Sequence, residues 1–92
     1  MNEVLKWLEE TAKEKSVAGP FPYNRQRMLR LVMDIRDRIQ ETNDERFVGV
    51  VSDLEQMANT IIIFPDSVEW TQMDILEFVF NIKETVRLGL DI

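Results

Sequence analysis

One stretch near the C-terminus, Trp70 to Leu88 (WTQMDILEFVFNIKETVRL), constrains this chain more than any other. It is the most apolar segment long enough for a full helix, yet its apolar residues do not form one stripe. At about 100° per residue, Ile75, Val79, Ile82 and Val86 fall in one narrow row with Phe78 beside it. Met73, Leu76 and Phe80 fall in a second row, beyond Gln72 and Lys83, and the acids Asp74, Glu77 and Glu84 occupy what remains. A helix with one apolar stripe docks on one neighbour, whereas one that is apolar most of the way round is buried. Two architectures follow. Either this helix sits centrally among the others, or it gives one row to its own core and the other to a second chain.

The rest of the sequence must supply the partners of that helix, and 92 residues make one domain. With 45% hydrophobic and 30% charged residues, the composition is that of an ordinary folded protein. The start, Met1-Asn2-Glu3-Val4, carries an acid where a secretory leader would be positive. The longest apolar run is Ile61-Ile62-Ile63-Phe64, far below the ~20 residues of a membrane helix, so a soluble, cytoplasmic protein is expected with no membrane contact.

Residue types that are missing narrow the chemistry. There is no cysteine and no histidine. Thiolate nucleophiles, disulfides and Cys-based metal sites are excluded. So is the side chain most used as a general base near neutral pH. No enzyme activity, cofactor or metal site is expected. The net charge of −6 is one-sided: residues 47–92 hold eight acids and two bases, while residues 1–46 hold nine of each. That balance argues against direct nucleic-acid binding and against an anionic membrane surface.

Taken in order, the chain reads as four helices. Residues 2–15 form the first, with Asn2 as N-cap, Val4, Leu5, Leu8 and Ala12 as its stripe, and Glu9–Lys13 as an i,i+4 pair. Trp7 lies off the centre of that stripe, either broadening it or standing out as an anchor for a partner. Ser16 to Asn24 is the punctuated segment, where Gly19 can end a helix and Pro20 cannot continue one; Phe21 and Tyr23 are expected to tuck back onto the bundle. The second helix spans 24–41 through Met28, Leu31, Val32, Ile35 and Ile39, with Arg30–Asp34 and Asp34–Arg38 pairs outside. Thr42 followed by Glu45 matches a capping box and opens a third helix over 43–63, in which Gly49 would permit a close crossing. Its β-branched end, Thr60-Ile-Ile-Ile63, stops before Pro65. Asp66 or Ser67 then caps a fourth helix over 67–88, which Gly89 ends. The short connections predict an all-α fold, a small antiparallel bundle whose first helix is short and set off by the Gly-Pro-Phe-Pro turn.

Two groups of residues are candidate sites. Tyr23, Arg25, Arg27 and Arg30 surround the start of the second helix, where free N–H groups, the helix dipole and guanidinium forks suit a small anionic ligand such as a nucleotide. The favoured reading of the same arginines is that they solvate the outer face and balance nearby acids, and no phosphate-loop motif is present. The second group lies on the fourth helix: Met73, Leu76 and Phe80, with Trp70 and Leu88 at the edge and Asp74 and Glu77 among them. Left uncovered, it is an interface, because large exposed apolar patches are rare on monomers. The adjacent Glu9-Glu10 and the Asp74/Glu77 spacing lack the aromatic or ligand context of catalytic acids. The reading favoured is a non-enzymatic interaction protein, a small regulator or inhibitor that binds a partner protein and itself. The alternatives are an oligomeric binder that sequesters an anionic ligand through the arginines and, more weakly, an acidic nucleic-acid mimic.

Overall fold

Four helices are present in the computed structural model, which describes residues 3–17 and 20–90. They are α1 (Glu3–Val17), α2 (Arg25–Gln40), α3 (Val48–Ile62) and α4 (Gln72–Leu90), with a 3₁₀ turn, Glu45–Phe47, leading into α3. Asn2 and Gly19, read as the cap of the first helix and its terminator, lie outside the described residues. The fold class is as expected, a small all-helical bundle. α2 packs along α3, and α1 along α4. Glu3 and Val4 at the start of α1 line a hollow with Arg38, Glu41 and Phe47, so α1 runs antiparallel to α2. The close approach of the Gly89 backbone to the Arg46 carbonyl places the end of α4 beside the start of α3.

One continuous core joins the helices. It holds Val4 and Leu8 of α1, Met28, Leu31, Val32, Ile35 and Ile39 of α2, Val50, Leu54, Ala58 and Ile61 of α3, and Ile75, Val79 and Val86 of α4. Phe47 of the 3₁₀ turn and Tyr23 complete it. Its helical members are residues the 3.6-residue period selects, because burying that stripe is what stabilises helices of this length. Leu5, Ala12, Val51 and Ile82 of the expected stripes are only half-buried at its edge. The shortest axis of the molecule is 18 Å, room for only two layers of helices at the usual 8–10 Å spacing. No helix is central, and each keeps an outward face. That decides the question posed by α4: its first row is core and its second row is not.

Several details differ from expectation. The first helix, expected to be short and to stop at residue 15, runs to Val17 and is as long as α3. Helix three begins at residue 48, not 43. Thr42 does not pair with Glu45; its hydroxyl donates to the Ile39 carbonyl at 2.7 Å, and Asp44 caps the 3₁₀ turn by accepting from the Arg46 N–H at 2.9 Å. Asn43 between them has φ 52°, a left-handed conformation that asparagine tolerates better than most. Helix four begins at 72, not 67. Residues 66–71 form a turn and an extended segment in which the Tyr23 N–H donates to the Trp70 carbonyl at 2.7 Å and the Trp70 N–H returns a bond to Tyr23 at 2.9 Å. The capping box belongs instead to Thr71 and Asp74, which satisfy each other's backbone N–H groups at 2.9 and 3.2 Å. Gly89 does not end α4, which runs to Leu90. At Gly49 no atom lies within 4 Å of where a Cβ would stand, so it serves no close crossing.

Candidate functional site

The arginine cluster is built by the segment before α2. Asn24 caps the helix, its side chain accepting from the Arg27 N–H at 2.9 Å, and the two-bond bridge to Trp70 holds Tyr23 in place, 3% exposed. Phe21, before a cis Pro22, stacks on the Tyr23 ring at 5.6 Å. Both rings tuck back as expected. Arg25 then reaches across to the end of α3. Its guanidinium donates to the carbonyls of Phe64 at 2.8 Å and Ile62 at 3.4 Å and pairs with Asp66 at 2.8 Å. Arg27 lies over the Tyr23 ring, 3.9 Å from its centroid, and donates to the Pro20 carbonyl. Arg30 is exposed on the outer side of α2.

The four residues predicted to share a pocket therefore do not converge. Tyr23 is core, while Arg25 and Arg27 direct their donors at their own chain. Asn24, Arg25, Gln26 and Asp66 surround a hollow of about 370 Å³ at the helix start. An anion entering it would meet the Asp66 carboxylate and would have to displace two backbone carbonyls from Arg25. The partial charge of a helix N-terminus is here answered from within the fold. The expected outer pairs of α2 are replaced as well. Asp34 has no ion-pair partner within 4 Å among the described residues, whereas Arg38 pairs with Glu41 at 3.8 Å and Arg36 bridges to Glu55 of α3 at 3.7 Å.

The outer side of α4 is assembled differently. At about 100° per residue, Met73, Glu77, Phe80 and Glu84 fall within roughly 60° of one another, on the side away from Ile75, Val79 and Val86. Met73 is 73% exposed and Phe80 and Leu88 are each 56% exposed, with Leu76 half-buried at the edge. Trp70, predicted to belong to this face, is drawn away from it. It precedes the helix, is half-buried and stacks on Phe64 at 6.0 Å. Trp7 likewise broadens the core side of α1, with the Arg38 guanidinium 6.0 Å from its ring.

Charges along α4 are unevenly matched. Lys83 donates to Glu9 of α1 at 2.8 Å, which holds the Glu9 carboxyl below the ordinary range. Arg87 pairs with Glu84 at 2.9 Å and lowers that carboxyl too. Both cations of the helix are thus engaged. Asp74 is exposed and caps Thr71, and Glu77 and Glu69 are exposed with no ion-pair partner within 4 Å among the described residues.

Other exposed apolar residues were missed from the sequence. Val48 is 65% exposed and lines, with Ile39, Phe47 and Val51, a hollow of about 410 Å³ between α2 and α3 that Asp44, Glu45 and Glu55 rim. Ile63, 80% exposed, follows the last turn of α3 beside the half-exposed Ile62. The sequence signal for both was helical phase, which leaves Val48, Ile62 and Ile63 off the stripe of Val50, Leu54, Ala58 and Ile61. No group of three acids among the described residues converges as a metal site would require. No helix among them is long and apolar enough to cross a membrane. No protein-family model, no curated protein and no solved structure matches this chain.

Proposed function

We propose that this chain is a non-enzymatic interaction protein, a small cytoplasmic regulator or inhibitor that docks a partner protein on the outer face of α4. The observation that carries this reading is the exposed row Met73, Phe80 and Leu88, opposite a buried row on the same helix. A solvated helix face needs no such residues, and each, more than half exposed, forgoes a large part of the ~1.5–3 kcal/mol that full burial of a large apolar side chain yields. A partner that covers them recovers it. A photo-crosslinking amino acid at Phe80 tests the reading. A discrete adduct from host extract, absent when the same group stands at Arg30, supports it; adducts of equal yield at both positions refute it.

The ligand-binding alternative draws less support from the geometry, since Arg25 and Arg27 are occupied by carbonyls, a ring and Asp66. Self-association through α4 is the other way to cover the row, and sedimentation of wild type beside Phe80→Glu distinguishes it from docking of a different protein.

A further inference from the structure

We infer that the partner segment which docks on α4 is a basic amphipathic helix, with Lys or Arg flanking its apolar stripe; this rests on the docking role proposed above for that face. Met73 to Leu88 spans about 22 Å at 1.5 Å per residue, the length of a helix of roughly fifteen residues and too small an area for more than a weak, reversible contact. Apolar anchors at i, i+3, i+7 spacing are what a groove-binding or face-binding helix offers in return. The choice of charge comes from what surrounds the anchors. Glu77 lies between Met73 and Phe80 on the exposed line, Asp74 flanks it, and Glu69 stands just before the helix, all exposed. The neighbouring cations are not available to answer them, because Lys83 is held by Glu9 and Arg87 by Glu84. The whole chain adds a net charge of −6 to the local field.

The same line of charge disfavours a second copy as the occupant. An antiparallel pairing that sets Met73 against Leu88 of the other chain sets Glu77 against its Glu84, since both pairs have the same midpoint along the helix. Arg87, already taken by Glu84, offers Glu77 no positive partner there. A parallel pairing opposes Glu77 to Glu77. Like charges across a contact select against it, whereas lysines or arginines at those places steer association and fix its register.

The test uses two synthetic eighteen-residue amphipathic peptides, one of leucine and lysine and one of leucine and glutamate, titrated against the full chain by fluorescence anisotropy at low and moderate salt. The lysine peptide is expected to bind, and to bind more weakly as salt rises; the glutamate peptide is not. Glu69→Lys with Glu77→Lys should weaken the lysine peptide roughly tenfold. Met73→Ala with Phe80→Ala should weaken it by roughly thirtyfold or more, as loss of central apolar anchors does. Both pairs are exposed, and unchanged melting temperatures verify that the fold survives. If the glutamate peptide binds equally and the Met73/Phe80 variant abolishes both, the face docks partners but the basic assignment is overturned. If the lysine peptide binds the Met73/Phe80 variant undiminished, this inference and the docking role of α4 both fall. If neither peptide binds, and sedimentation shows a dimer that Phe80→Glu disperses, the occupant is a second copy and the inference is overturned.

Discussion

Replacing Arg25 and Arg27 together by alanine separates a structural from a ligand-binding role at the start of α2. Arg25 joins α2 to the end of α3 through the carbonyls of Phe64 and Ile62. A charged donor on a buried acceptor contributes ~1.5–3 kcal/mol. The Arg25 side chain is 36% exposed, which lowers the figure to about 1 kcal/mol, and the pair with an Asp66 that is 88% exposed adds at most a few tenths. Arg27 contributes ~0.5–1 kcal/mol from its stack over Tyr23 and a similar amount from the bond to Pro20. The double variant should therefore lose about 2–3 kcal/mol, with some non-additivity because both residues support the same segment. In a domain of this size that lowers Tm by roughly 10–15 °C. The assay is urea and thermal unfolding followed by tryptophan fluorescence, with Arg30→Ala as the control, expected to stay within ~0.5 kcal/mol of wild type. Arg25→Lys should recover little, because an ammonium cannot fork between two carbonyls and a carboxylate. A double variant that melts within 2–3 °C of wild type, roughly the shift of half a kcal/mol, would refute the structural assignment and return both arginines to the list of ligand contacts.

Three further outcomes follow from the packing and the caps. Leu54→Ala, at a fully buried position, should cost ~2–5 kcal/mol in urea unfolding, while Phe80→Ala on the exposed side of α4 should cost no more than ~0.5 kcal/mol; near-equal losses would show that the second row is buried after all. Gly49→Ala should raise stability by ~0.5–1 kcal/mol, since the position is helical and a Cβ there meets no atom within 4 Å. The Asp44 carboxyl is lowered to about 2, chiefly by the hydrogen bond from the Arg46 guanidinium and then by the Arg46 backbone N–H. A depressed carboxyl stabilises the fold above its unfolded value and ceases to do so as pH falls through the folded one. The Tm difference between wild type and Asp44→Asn should thus be largest above pH ~4, shrink as pH falls and vanish only below pH ~2, and a difference constant over that range would refute it.

Several of the boundary shifts share one cause. Thr42, Asp44, Asp66, Ser67 and Thr71 are all residues that cap helices, and local pattern alone does not rank them. The choice was made by distant groups. Tyr23 takes both backbone groups of Trp70, which holds 70 extended and moves the start of α4 to the next competent cap, Thr71 with Asp74. Phe47 is 2% exposed, and burying it fits a 3₁₀ turn that Asp44 caps. The arginines illustrate the same limit. Their clustering was legible, but the carbonyls that Arg25 engages lie 37 and 39 residues away, and no spacing rule reaches that far.

The sequence by itself determined that this chain folds as four helices and which stripe each one buries, because helical period and apolar burial are local properties written in residue order. It also determined the absence of thiol and imidazole chemistry and the excess of acid in the second half. Only the tertiary structure decided which row of α4 faces the core. With two layers in an 18 Å thickness, Ile75, Val79 and Val86 are covered, and Met73, Phe80 and Leu88 are left to solvent. Rows of such similar apolarity are indistinguishable until the number of helices packed against each is known.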